Sequence, residues 1–103
     1  MKLWRAFLTR HDIMAVMTIE TTTRIWREGK TFIAHALPLD VASAGDTPKT
    51  AQRALREAVE LFIATARERG TLQEVLEECG YTLENGKWVA PRIVAQQQEL
   101  LAV

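Results

Sequence analysis

The sequence predicts an α+β fold: a three-stranded antiparallel meander packed on one long helix, then a short helix and a C-terminal strand or hairpin. Three observations predict it. A run rich in β-branched residues alternates over residues 18–26. An apolar period of three and four residues follows a strong helix start signal at residues 47–48. An Asn-Gly pair, a strong hairpin signal, lies at residues 85–86.

The composition is that of one ordinary globular domain. The chain has 103 residues, of which 48% are hydrophobic and 25% are charged, and such a length supports a single core. The formal net charge is zero, so no overall basic field draws the molecule to nucleic acid. The single cysteine, Cys79, excludes an internal disulfide, and no apolar stretch is long enough for a membrane span. We therefore expect a cytoplasmic protein without membrane contact.

We divide the chain into three parts. Residues 1–16 are an N-terminal extension for which we expect disorder or loose docking, as is usual for termini, with a short helix as the alternative. Residues 17–91 form the domain, and Pro91 ends it. Residues 92–103 are a C-terminal tail or a fraying helix.

The strands of the predicted meander follow one another closely. Residues 18–26 form the first strand, and Gly29 provides the positive φ of a short turn. Residues 31–37 resume the β pattern. Pro38 cannot donate to a sheet, so the second strand ends there and residues 41–44 form the third.

A turn of four residues, Gly45, Asp46, Thr47 and Pro48, marks the start of the long helix. Thr47 can cap the free amides, and Pro48 at the first helical position loses no hydrogen bond. We expect the Asp46 carboxylate to bond to nearby amides. An apolar stripe follows and comprises Ala51, Ala54, Leu55, Ala58, Val59, Phe62 and Ala66. Gly70 ends the helix as a left-handed cap.

The short helix and the hairpin complete the domain. A capping box of Thr71 and Glu74 predicts the start of the helix, and Gly80 closes it. Its apolar side comprises Leu72, Val75, Leu76 and Cys79. Residues 81–84 and 87–89 then form two strands around a type I′ turn.

The sequence predicts no catalytic, cofactor-binding or metal-ligating residue. His11 and His35 are too isolated for a recognisable ligand motif, and we expect His35 to be a satisfied or exposed strand residue and not a base. Cys79 is best explained as a small buried hydrophobic residue. A phosphate site before the long helix is disfavoured, because the turn has only one glycine and no lysine positioned as in a P-loop, and because Asp46 would repel the anion. We expect a protein that is not an enzyme. A weak nuclease is an alternative only if the fold brings distant carboxylates together.

The charges are unevenly distributed along the chain. Residues 1–30 contain six basic and three acidic residues, a net charge of +3. Residues 57–84 contain seven glutamates and two arginines, a net charge of −5. An acidic helical surface of this kind suits a basic partner, and a solvated helix face is the alternative explanation.

Three segments carry a resemblance to a known family. They are LPLDVASAGDT (residues 37–47), LREAVELF (55–62) and RGTLQEVLEECGY (69–81). With the order of the predicted elements, they resemble the HicB-like antitoxin family over residues 17–91.

The resemblance implies a truncated ribonuclease-H-like domain, β-β-β-α-β, that is not itself a nuclease. Family members bind small HicA-like toxins that cleave mRNA, and they mask the active surface of the toxin. We expect Glu74, Glu77 and Glu78, or an exposed strand edge, to supply the contact. A different possibility is an orphan structural module in which the sheet edge pairs two copies. We expect a homodimer.

The chain departs from the family pattern at two places. Lys49 and Thr50 stand where relatives usually have acidic residues, so we expect an incomplete capping box at the long helix. Only twelve residues follow Pro91, where many relatives carry a module that binds operator DNA. We therefore expect no built-in DNA-binding module.

Overall fold

The structure is a computed structural model that describes residues 17–103; the expectations for residues 1–16 lie outside this range. It confirms the predicted α+β class. The strands are β1 (Thr18–Ile19), β2 (Thr22–Glu28), β3 (Thr31–Leu37), β4 (Val41–Gly45), β5 (Thr82–Glu84) and β6 (Lys87–Val89). The helices are α1 (Pro48–Glu68) and α2 (Leu72–Glu78). Residues 90–103 contain no helix or strand.

The strands form two sheets. The antiparallel meander has the order β2-β3-β4, as predicted, and a smaller sheet has the order β1-β6-β5. In the smaller sheet β1 pairs parallel with β6, and β5 pairs antiparallel with β6. Asn85 and Gly86 both have positive φ, 52° and 78°, which confirms the predicted type I′ turn between β5 and β6.

The predicted single strand over residues 18–26 is wrong, because the chain changes sheets within it. The backbone N–H of Thr18 donates to the carbonyl of Gly86 at 3.1 Å, and that of Glu20 donates to the carbonyl of Trp88 at 3.0 Å. These bonds hold β1 on the small sheet, and the chain joins the meander only at Thr22. The β-branched pattern continues through the change, so it gives no sign of it.

The Glu20 side chain fastens the junction between the two sheets. Its carboxylate accepts a hydrogen bond from the backbone N–H of Ala90 at 3.0 Å and lies 3.0 Å from the Lys87 ammonium. Two contacts lower the pKa of Glu20 below its ordinary value: the hydrogen bond from the Ala90 N–H, which has the larger effect, and the contact with Lys87. The Tyr81 hydroxyl donates to the Glu20 carbonyl at 2.5 Å. Burial has the largest effect on the pKa of Tyr81, and together with the nearby Cys79 and Glu20 it raises this pKa to about 12.

The long helix starts as predicted. Thr47 is the N-cap, and its hydroxyl accepts a hydrogen bond from the backbone N–H of Thr50. The Thr50 hydroxyl accepts one in return from the backbone N–H of Thr47 at 3.0 Å. The capping box is therefore complete, and the prediction that it is incomplete is wrong. The Thr50 hydroxyl accepts the hydrogen bond from the N-cap amide that a glutamate side chain usually accepts. The Asp46 carboxylate makes no hydrogen bond within the described residues, so the bond predicted for it is also wrong.

One face of α1 packs on the meander through small residues. Ala34 and Ala36 of β3 are 0% and 1% exposed, and Ala51 and Leu55 of α1 are 0% and 3% exposed. Burying Leu55 contributes about 1.5–3 kcal/mol before side-chain entropy is subtracted. The apolar stripe predicted on α1 is thereby confirmed, since its remaining members are at least partly buried.

A second cluster packs α2 between α1 and the small sheet. Its buried members are Leu39, Leu76, Tyr81 and Trp88. Cys79 packs beside them and is partly buried, in agreement with its predicted role as a small hydrophobic residue. The cluster connects the turn after β3 to the C-terminal hairpin, so both sheets share the helical layer.

Each helix ends at a glycine with positive φ. Gly70 has φ 72° and Gly80 has φ 93°. After each glycine, the next backbone N–H donates back to the helix: Thr71 to Ala66 at 2.9 Å and Tyr81 to Leu76 at 3.0 Å. Both helices thus end in Schellman motifs, and the glycine caps predicted by the sequence are confirmed.

The predicted capping box of α2 is wrong. Thr71 makes no side-chain hydrogen bond to an amide of α2, and its hydroxyl instead donates to the carbonyl of Ala66 at 3.4 Å. Because Thr71 already forms the last position of the Schellman motif of α1, its side chain turns to that helix.

We predict that Thr47→Ala lowers the free energy of unfolding by about 1 kcal/mol, since it removes an N-cap hydrogen bond. Thr71→Ala is the matched control, because Thr71 also precedes a helix but caps no amide. Urea denaturation measures both. Equal losses in the two variants would contradict the assignment of the caps.

The lowered pKa of Glu20 leads us to predict that the folded protein loses stability in acid. Glu20 has a lowered pKa in the folded state, so its contribution is present above its unfolded pKa and is lost as the pH falls through the folded value. Urea denaturation between pH 7 and about pH 3 should show a smaller decrease for Glu20→Gln than for the wild type. Glu57→Gln, an exposed change on α1, should keep the wild-type slope. If Glu20→Gln shows the same decrease in the free energy of unfolding as the wild type, the Glu20 carboxylate does not stabilise the fold through its lowered pKa.

Candidate functional site

The three glutamates predicted to bind a partner lie together on α2. Glu74, Glu77 and Glu78 are exposed and have the spacing i, i+3 and i+4, which places them on one side of the helix. Gly70 and Gln73 join them around an open depression. We call Glu74, Glu77 and Glu78 the acidic surface.

The packing of α2 explains why this side faces solvent. Leu76 is 1% exposed and belongs to the second core cluster, and Leu72 and Cys79 pack against that cluster from the same side. The helix cannot rotate without exposing these residues. The acidic surface is therefore held in a fixed orientation by the core below it.

The acidic surface takes part in no ion pair among the described residues. Within residues 17–103, the ion pairs are His35 with Asp40, Arg56 with Glu60 and Lys87 with Glu20. None of these pairs includes a residue of the acidic surface. Three exposed carboxylates that form no ion pair with any other described residue create a local negative potential toward solvent.

A second group of polar side chains lies on the face of the meander opposite α1. His35 Nε2 is 2.6 Å from Asp40 Oδ1, and the ring of Trp26 meets the His35 ring edge-on with centroids 6.1 Å apart. Trp26 Nε1 also donates to Glu28 Oε1 at 3.0 Å. The sequence predicts a satisfied or exposed strand residue at position 35, and the contact with Asp40 agrees with a satisfied one.

The register of the meander explains how these residues meet. Trp26 pairs with Ile33 and Arg24 pairs with His35, so their side chains share the face opposite α1. This register could have been derived from the sequence, because a two-residue turn at residues 29–30 pairs Glu28 with Thr31 and thereby fixes every other pair. The contact with Asp40 was not predictable in this way, because it depends on the turn after β3, where Asp40 has φ 62° and its N–H donates to the Ala36 carbonyl.

The described residues hold no group of three or more His, Cys, Asp or Glu side chains placed to bind a metal ion. The turn from Gly45 to Pro48 forms the start of α1, with Thr47 as the N-cap. Gly45 is required there, because a Cβ would lie 2.5 Å from the backbone nitrogen of Ala51. The close approach gives Gly45 a structural role at this turn.

Comparison with known proteins gives no relative for this chain: no protein-family model, no curated protein and no solved structure matches it. Among residues 17–103, neither helix is long and apolar enough to cross a membrane.

We predict that reversing the charge of the acidic surface leaves the fold intact. In Glu74→Lys/Glu77→Lys/Glu78→Lys, the first change loses a favourable interaction with the helix dipole, and the other two gain one near the C-terminus of α2. The free energy of unfolding should change by no more than about 1 kcal/mol. Thermal and urea unfolding measure it, and a collapse of stability would mean that these residues serve the fold.

Proposed function

We propose that this chain is an antitoxin-like protein-binding domain without catalytic activity. It neutralises a small HicA-like toxin that cleaves mRNA by covering the active surface of that toxin, and it does so in the cytoplasm. The proposal is supported by the resemblance of residues 17–91 to HicB-like antitoxins and by one structural observation: the acidic surface on α2 is exposed and forms no ion pair within residues 17–103.

The charge of the acidic surface suits such a partner. A protein that binds and cleaves RNA must attract a polyanion, so its working surface carries Lys and Arg side chains. Carboxylates that face this surface replace the phosphates and block RNA at the same time. Opposite charges also accelerate the encounter of the two proteins, which favours rapid neutralisation.

The support of α2 favours tight binding. The helix lies between the glycine caps at Gly70 and Gly80, and its apolar side is anchored through Leu76 in the second core cluster. Because the helix is already ordered, a partner loses little free energy in fixing the carboxylates. The same carboxylates on a mobile loop would bind more weakly.

A homodimeric structural module without a toxin is the second candidate function. It is favoured by β2, an edge strand of the meander in which all seven residues are exposed. The two functions use different elements of the fold, so a dimer is also compatible with toxin binding.

Rescue of a poisoned cell tests the first function. We expect co-expression of this chain to restore growth when a small basic toxin encoded beside its gene is induced, because binding hides the toxin's RNA surface. If the chain rescues cells from none of the neighbouring candidates, toxin neutralisation is wrong and the dimer module remains.

Charge reversal then tests the acidic surface itself. Glu74→Lys/Glu77→Lys/Glu78→Lys should weaken toxin binding by about tenfold or more and reduce its salt dependence. The matched control is Glu57→Lys/Glu60→Lys/Glu68→Lys, which makes the same change in net charge on exposed positions of α1. Titration calorimetry at two salt concentrations measures both. Equal weakening in the two variants would point to net charge alone, and unchanged affinity would remove the acidic surface from the interface.

A further inference from the structure

The outer edge of β2 is the longest open strand edge among the described residues. β2 lies at one side of the meander, and its seven residues pair with β3 in one unbroken register from Thr22 to Glu28. It contains no proline, glycine or bulge that would prevent another strand from joining it. Ile25 and Trp26 are 38% and 42% exposed.

The other strand edges are less suited to pairing. β4 has five residues, and its last residue, Gly45, lies against the first turn of α1, where a Cβ would be 2.5 Å from Ala51 nitrogen. β5 has three residues. A long, regular and exposed edge is a template for strand addition, and only β2 combines these properties within residues 17–103.

The backbone of β2 offers hydrogen bonds at alternate residues. Glu28 pairs with Thr31 across a two-residue turn, so Glu28 and Trp26 direct their backbone groups toward β3. Ile25 and Arg27 therefore direct theirs outward. No described strand receives these outward groups.

The side chains of β2 are complementary to a second, antiparallel copy of themselves. Arg24, Trp26 and Glu28 share the face of the meander opposite α1. When two copies pair antiparallel about Trp26, each Arg24 lies opposite the Glu28 of the other copy. The two-fold axis creates this ion pair twice, one on each side of a central pair of Trp26 rings.

We infer that β2 is a homodimer interface in which two copies of this chain pair antiparallel about Trp26 and join their meanders into one continuous six-stranded sheet. Ile25 of each copy then forms backbone hydrogen bonds with Arg27 of the other. Opposed residues share a face, so both α1 helices lie on the same side of the joined sheet. This inference deepens the dimer part of the proposed function and does not depend on a toxin.

A pair of charge variants tests the interface. In purified Arg24→Glu, the opposed residues of the two copies are both acidic; in Glu28→Arg, they are both basic. Each variant alone should dissociate at least about tenfold more readily than the wild type. A mixture of the two should dimerise again, because each chain then carries the charge that the other lacks. Sedimentation velocity over a range of concentrations measures this without any toxin present.

The control is Arg53→Glu, which makes the same charge change on an exposed residue of α1 and should dimerise like the wild type. Circular dichroism confirms that each variant is folded. A monomeric wild type, single variants that dimerise normally, or a mixture that stays monomeric would overturn the inference.

A disulfide tests the register independently of charge. In the inferred dimer, position 26 faces itself in a pair without hydrogen bonds, where Cα atoms are about 4.5 Å apart, within the range of a disulfide. Trp26→Cys in a Cys79→Ala background should therefore form a covalent dimer under mild oxidation. Arg53→Cys in the same background should not. A Trp26→Cys chain that fails to cross-link, or cross-links no faster than the control, would contradict pairing about residue 26.

Discussion

The close packing of α1 on the meander is the constraint on which the rest of the structure depends. It is possible because the contact is built from residues with little or no side chain, Ala34, Ala36, Gly45 and Ala51. The backbones of the helix and the sheet approach each other directly at the start of the helix, and a single added carbon at Gly45 would force them apart. The capping threonines bring the chain into the helix at this same point, so the direction of α1 is fixed where its packing is tightest.

This packing also determines which surfaces remain open. α1 lies mainly over β3 and β4, and β2 extends beyond it. Ile25 is 38% exposed although it pairs directly with Ala34, which is 0% exposed. Beyond the C-terminal end of α1, α2 uses its apolar residues to cover the second cluster and turns its glutamates to solvent. The proposed toxin contact and the inferred dimer contact are thus consequences of one arrangement, and they do not compete for residues.

The elements that could be predicted have local causes. Thr47 and Pro48 start a helix through groups only a few residues away, and Asn85 and Gly86 select a turn through their own backbone preferences. The exposure of Glu74, Glu77 and Glu78 followed from the helical period, because carboxylates that lie off an apolar stripe face water. Whether a partner covers them does not follow from that period.

The sequence by itself determined the α+β class, the order of the elements and the face that each helix buries, since these depend on spacing, caps and turns within short stretches. Only the tertiary structure decided that the first β segment divides between two sheets at Glu20, because the groups that hold it there belong to Lys87, Trp88 and Ala90. Likewise it brought His35 to Asp40 through the shape of a turn. Contacts between distant parts of the chain depend on where the folded elements meet, and a local sequence pattern does not specify that position.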